Sequence, residues 1–139
     1  MRETYSVEFK LFNHLITFPA YVNDEGPLNF WLDTGGPGLI VKKSLADKLG
    51  LQVIDTGKKG IGAGGEVPIL ITTVDNLRFA GIEFKKVQAT VLGLEGMDQK
   101  FQHKFHGCIG YHVLKDFQVC IDYVNKKLTL HKLQDDKQS

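Results

Sequence analysis

One carboxylate, Asp33, stands at the centre of the apolar run "NFWLDTGGPGLIV", residues 29–41. Phe30, Trp31 and Leu32 read as a buried strand and Leu39, Ile40 and Val41 as another. Between them Asp33 opens a turn built from Thr34, Gly35, Gly36, Pro37 and Gly38. An ionised Asp among core strands is costly unless its charge is held or used. An Asx-turn would hold it, the carboxylate accepting N–H groups of its own turn. Its surroundings favour use. The bulky residues before it withdraw it from water, Thr34 adds a hydroxyl, and Gly35 lets the backbone close around the acid. A glycine-tipped hairpin then follows, as a lid over a cleft would.

Other groups offer less. "GIGAGG", residues 60–65, fits a dinucleotide fingerprint at Gly60, Gly62 and Gly65, but that motif must lead into a helix. Here a strand pattern with Pro68 follows, so Gly60, Ile61, Gly62, Ala63 and Gly64 read as a hairpin tip. His103, His106, Cys108 and His112 are zinc-type ligands without the paired spacing of a structural site, and no metal is expected. No Gly-x-Ser-x-Gly exists, and Ser6, Ser44 and Ser139 read as strand, helix cap and terminus. Cys108 reads as buried packing, and Cys120 has no evident base beside it.

The elements that position these groups are mostly strands. Period-two patterns predict them near residues 4–11, 15–22, 28–33, 38–42, 52–56, 67–79, 82–92, 107–109, 117–123 and 127–132. "FQVCIDY" alternates most cleanly, with Phe117, Val119, Ile121 and Tyr123 on one face. "VNKK" turns it into "LTLHK". Two short helices are predicted: "SLADKLG", with Ser44 as N-cap and Gly50 as stop, and "YHVLKD", residues 111–116. Residues 94–106 read as a loop or a frayed helix. "FWLDTGG…SLADKLGLQVI" and "GCIGYHVLKDFQVCI" repeat one order, strand, glycine turn, short helix, strand.

At 139 residues and 15.6 kDa, the composition (42% hydrophobic, 24% charged) predicts one globular domain over 1–132 and a polar tail or linker stub over 133–139. A further domain outside this chain is compatible with that stub. A net charge of +1 advertises no nucleic-acid partner. Two cysteines make no disulfide framework. "MRETYSVEFKLF" alternates like a strand rather than a signal-peptide core, and no window approaches a membrane span, which leaves the compartment open.

Taken in order, "LDTGG", "GKKGIGAGG" and "GCIGYHVLKDFQVCIDYVNKKLTL" resemble the retropepsin-like aspartic proteases, and more closely their single-domain, gag-polyprotein-type relatives. The resemblance runs over residues 5–132. It implies a mainly β, closed barrel-like protomer with a flap hairpin and one or two short helices, acting on peptide or protein substrates without a cofactor. It implies that Asp33 is the active acid and that Thr34 hydrogen-bonds across a dimer interface. Gly35 and Gly36 would complete the loop, residues 58–66 the flap, and Ile109-Gly110 the second apolar-glycine element. Asp55-Thr56-Gly57 is a second triplet that only begins the hairpin. The family usually carries Ala or Ser where Gly36 stands. Lacking a hydroxyl there, the chain is expected to favour a less acidic optimum. Pro37-Gly38 departs from the pattern as well.

Metal-free peptide hydrolysis needs a base to activate water and an acid to protonate the leaving group. Two carboxylates sharing one proton supply both. This chain has one well-placed candidate, so a C2 homodimer with Asp33 of each protomer at the axis is expected. Leu32, Ile61 and Ile109 are expected to make an apolar cleft floor. Two other classes stay open: a non-catalytic peptide-binding or dimerisation module on the same fold, and an ordinary β domain with an Asx-turn.

Overall fold

The computed structural model describes residues 2–62 and 65–133. It contains eleven strands and three short helices: β1 (Arg2–Glu8), β2 (Lys10–Phe12), β3 (Leu15–Val22), β4 (Glu25–Leu32), β5 (Leu39–Lys42), α1 (Lys43–Lys48), β6 (Ile54–Gly62), β7 (Gly65–Phe79), β8 (Ile82–Leu92), α2 (Glu95–Phe101), β9 (Gly107–Ile109), α3 (Tyr111–Leu114), β10 (Gln118–Asp122) and β11 (Lys127–Leu133). Alternation explains most of them. In β3, Ile16, Phe18, Ala20 and Val22 are all buried. Asn23 and Asp24, both at positive φ, turn β3 back into β4, as a right-twisted hairpin requires.

Eight strands form one sheet in the order β2-β3-β4-β9-β5-β8-β7-β6. The central strand β9 runs parallel to β4 and antiparallel to β5. The two strands of the sequence echo are therefore side by side. β7 is long enough to pair with β6, with β8, and at its end with β3 through Tyr21 and Val22. This bends the sheet into a ring. The outermost strands β2 and β6 do not pair, so the ring is barrel-like, as expected, without being formally a closed barrel.

A second sheet, β1-β11-β10, contributes Leu128 and Leu130 to the main core, both fully buried. The even alternation of "FQVCIDY" is misleading. Phe117 and Val119 are half-buried, but Ile121, on edge strand β10, is 37% exposed, and Tyr123, in the turn past its end, is 58% exposed.

α1 starts at Lys43 with Lys42 in the capping position and no side-chain cap, so Ser44 is not its N-cap. Gly50 does end it, at φ +67°, with its N–H on the Asp47 carbonyl. The third helix, α2, lies in the stretch expected to be loop or frayed helix. It is held by tertiary contacts rather than periodicity. Asp98 pairs with Lys42, Asp98 Oδ1 accepts the Phe105 N–H at 2.9 Å, and Met97 and Phe101 pack on a small apolar cluster of Trp31, Phe105 and Cys108. Leu94 and Gln102, both in the left-handed region, bound it. No described helix is long and apolar enough to cross a membrane.

Candidate active site

The site grows out of the alternation in β4. Phe30 is fully buried in the main core, Leu32 packs against that core, and Trp31 points to the smaller cluster on the other side. The same alternation carried to Asp33 directs its side chain to the Trp31 side. Electrostatics agrees. Burial pushes the Cys108 thiol up to about 12, and the negative charge of Asp33 adds to that rise. Cys108 stands opposite Trp31 in the β4–β9 pairing, so acid, thiol and indole share one face.

The loop after Asp33 is fixed by its backbone. The Asp33 N–H donates to the Ile109 carbonyl at 2.9 Å and extends the β4–β9 ladder by one step. The Gly36 N–H closes onto the Asp33 carbonyl at 2.9 Å. From the far side, the Tyr111 N–H donates to the Gly36 carbonyl at 2.8 Å and the His112 N–H to the Pro37 carbonyl at 3.0 Å. Pro37-Gly38 is thereby tied to α3.

Two glycines make this approach possible. A Cβ on Gly110 would lie 2.5 Å from the Gly36 carbonyl oxygen and 3.0 Å from that of Asp33. One on Gly107 would lie 2.1 Å from the Ile40 carbonyl oxygen. Both contacts are with backbone, which cannot step aside as a side chain does. Gly36 is different, since its Cβ would stand 2.8 Å from Asp33 Oδ2. Any side chain there obliges the carboxylate to turn. Gly36 therefore makes room for this orientation of the acid as well as withholding a hydroxyl.

The turn hydrogen bond uses the Asp33 main chain, so no Asx-turn forms. Among the described residues nothing hydrogen-bonds the half-buried Asp33 carboxylate or the exposed Thr34 hydroxyl. The second triplet is arranged otherwise. Asp55 Oδ1 accepts the Gly57 N–H at 2.9 Å, and Thr56 Oγ1 donates to the Ile69 carbonyl at 2.9 Å while accepting the Lys58 N–H at 3.2 Å. Asp55 is structural.

The β6–β7 hairpin carries Gly60, Ile61 and Gly62, paired with Val67, Glu66 and Gly65. Ala63 and Gly64 at its tip lie outside the described residues. A strand follows "GIGAGG" and no helix, which excludes the dinucleotide reading. The expected cleft floor is not assembled from the three residues named for it. Ile109 is fully buried in the main core and Ile61 is 93% exposed. A cavity of about 600 Å³ bounded in part by Pro37, Gly38, Phe84, Gln88 and His112 opens behind the loop, and Asp33 does not line it.

Among the described residues no three His, Cys, Asp or Glu side chains group as a metal site would. His103 stacks on Phe12, with ring centroids 3.8 Å apart. His106 Nδ1 accepts the Asn29 N–H, and His112 lies against Gly38.

A family model for aspartyl proteases matches residues 18–113, a span holding Asp33, the hairpin and the β9–Gly110 element. The chain belongs to the aspartyl protease family. It is also similar to the crystal structure of a retropepsin-like aspartic protease from Rickettsia conorii, with a TM-score of 0.62 and 22% identity over 95% of this chain and 93% of that one. At that identity the likeness establishes a mainly β, retropepsin-like fold. No curated protein sequence matches.

Within this aspartyl protease fold the structure brings Asp33, Thr34, Gly35, Gly36, Ile109 and Gly110 into one loop-and-strand unit, while the hairpin is a separate element. Sequence reading missed Trp31, Ile40 and Cys108 as neighbours of the acid's face, and Gly107 as a close-approach glycine. The signal for Trp31 was available. It precedes Asp33 by two residues on a strand.

Proposed function

We propose that this protein is an aspartic endopeptidase whose active form is a homodimer, with Asp33 of each protomer at the two-fold axis. The observation that carries this reading is the Asp33 carboxylate, unbonded among the described residues while its backbone is tied at the Asp33 N–H, the Gly36 N–H and the Gly36 carbonyl. An acid fixed in place yet left free is suited to bind water and exchange a proton. Two such groups at an axis would share one proton, since both cannot ionise together at close range. One then acts as base toward the attacking water, and its twin protonates the substrate carbonyl.

Thr34, exposed and unbonded among the described residues, is available for a bond to the partner's loop. An extended peptide would lie between the carboxylates and the β6–β7 hairpin, whose backbone can hydrogen-bond along it. The face that Asp33 shares with Trp31, Ile40 and Cys108 is apolar, and wherever it is uncovered it would favour substrates with hydrophobic side chains flanking the cut.

The test is specific activity against protomer concentration. Activity per protomer should rise and level off as dimer forms. Adding Asp33→Asn protein should depress it beyond dilution, through heterodimers with one carboxylate. Flat specific activity far below the dimer dissociation constant would exclude a shared site.

A further inference from the structure

The apolar face beside Asp33 is not open. Leu94, Met97 and Phe101 of the α2 segment, with Phe105, cover Trp31, Ile40 and Cys108. Phe105 is fully buried and meets the Trp31 ring edge-on, with centroids 5.5 Å apart. Apolar contact alone does not hold this segment. Asp98 of α2 pairs with Lys42 at the end of β5 and accepts the Phe105 N–H. His106, at the segment's end, exchanges bonds with Asn29 of β4: its N–H donates to the Asn29 carbonyl at 2.8 Å and its Nδ1 accepts the Asn29 N–H at 3.0 Å. The His106 carbonyl also accepts the Lys42 N–H at 2.8 Å, and Asn29 Nδ2 donates to the Lys104 carbonyl at 3.0 Å.

One of these bonds exists in only one protonation state. A backbone N–H can only donate, so His106 Nδ1 must carry a lone pair and the ring must be neutral with its proton on Nε2. A second proton would set two N–H groups against each other. The charges facing the ring are Lys42 of β5, Lys48 of α1, His103 of the loop after α2 and Asp98 of α2. Only Asp98 favours the cation.

We propose that residues 94–106 form an acid-released cover over the apolar wall beside Asp33, and that His106 is the residue whose protonation releases it. The consequence for hydrolysis rests on the function proposed above; the opening itself does not. Burial, then Lys42, hold the His106 pKa below its ordinary 6.5 while the cover is closed. An opened segment returns the ring to water and to that ordinary value, so opening takes up a proton. Closure is therefore strongest above pH 6.5 and weakens as pH falls toward the closed-state pKa. For Asp98, burial raises the pKa, but the Lys42 pair and the Phe105 N–H outweigh it and leave the value below 3.8. A second loosening follows only in that more acidic range. Mild acid would thus uncover an apolar surface on the acid's own face.

Trp31 is the only tryptophan, so its fluorescence reads the cover directly. Acrylamide quenching of Trp31 should rise severalfold between about pH 8 and pH 5, while the far-UV circular dichroism stays unchanged. The midpoint should lie below 6.5. His106→Asn supplies an amide oxygen that accepts the Asn29 N–H and does not titrate, so it should abolish this transition. Should that variant fail to fold, the His106 ring titration followed by NMR in the wild type must share the midpoint of the Trp31 transition. Quenching that stays flat until the fold is lost overturns the proposal. So does a transition that survives His106→Asn, or two different midpoints. None of these readouts requires hydrolysis, so the cover and the protease function can fail separately.

Discussion

The chain contains the same three residues twice, and it uses them in opposite ways. Asp55-Thr56-Gly57 is self-satisfied: the carboxylate holds the Gly57 N–H, and the threonine hydroxyl both donates and accepts. Gly57 takes φ +77° into open space. Asp33-Thr34-Gly35 closes its turn through the Asp33 main-chain carbonyl and leaves carboxylate and hydroxyl without a described partner. The difference lies in what each strand meets next. After β4 the chain is gripped by β9 and Gly110, so its side chains are not needed to hold the turn. In β6 the triplet falls at a break in the β6–β7 ladder, between the Asp55–Leu70 and Lys59–Pro68 pairs, and there the side chains hold the chain. A triplet is a candidate site where the surrounding fold relieves it of structural work.

The largest effect expected from this contrast is on turnover. Asp33→Asn keeps size and shape but cannot act as base, and peptide hydrolysis should fall by at least about a thousandfold. Because no described bond to the carboxylate is lost, the thermal melt should stay within a degree or two of wild type. Steady-state kinetics beside circular dichroism measures both. Near-normal turnover in well-folded protein would remove Asp33 from the mechanism.

The glycines should differ next. Gly110→Ala drives a Cβ to 2.5 Å from the Gly36 carbonyl oxygen, so loop and strand must part. Overpacking of this kind costs about 1–3 kcal/mol, and the displaced Asp33 should cost most of the activity as well. Gly57→Ala meets no neighbour within 4 Å. Only its left-handed backbone opposes it, at about 1–2 kcal/mol, and turnover should survive. Denaturant unfolding and kinetics on both variants would separate the cases. Equal loss of activity in the two would contradict the division drawn here.

A smaller contrast is expected at the threonines. Thr56→Val strips the Ile69 carbonyl and the Lys58 N–H of a partner and should cost about 1 kcal/mol of stability. Thr34→Val should leave protomer stability almost unchanged and weaken self-association instead, as sedimentation would show. If Thr34→Val melts early while dimerisation is untouched, Thr34 bonds within its own protomer.

Much of this was legible in the sequence because strands write themselves as alternation. β3, β8 and β9 fall on the residues that the period-two pattern predicted, and Gly50 stops α1 as its type suggests. What was not legible depends on partners remote in the chain. Nothing local in "LEGMDQKF" specifies α2, which is held by Lys42, Trp31 and Phe105. "FQVCIDY" alternates as though half-buried, yet being an edge strand is a property of the sheet and not of the strand. Asp33 stands out as the candidate acid by its type and apolar setting. Which of its atoms closes the turn required the geometry, since an Asx-turn and a main-chain turn are written with the same residues.

The smallest effect belongs to Asp55→Asn, and it is the sharpest form of the comparison. Asn also carries an Oδ1, so the bond to the Gly57 N–H at 2.9 Å can be kept. Lost is only the charge, on an exposed side chain followed by Lys58 and Lys59, where water and salt screen the attraction. The stability change should stay within about 0.5 kcal/mol, and turnover should match wild type. Asp55→Ala, which removes the acceptor, should cost more, up to about 1 kcal/mol, because the Gly57 N–H must then rely on water. The same Asp-to-Asn exchange at two identical triplets is thus expected to be almost silent in thermal melts at both, and silent in turnover at only one. A loss of turnover at both would mean that Asp55 reaches the substrate through the hairpin it begins, and the second triplet would then belong to the site.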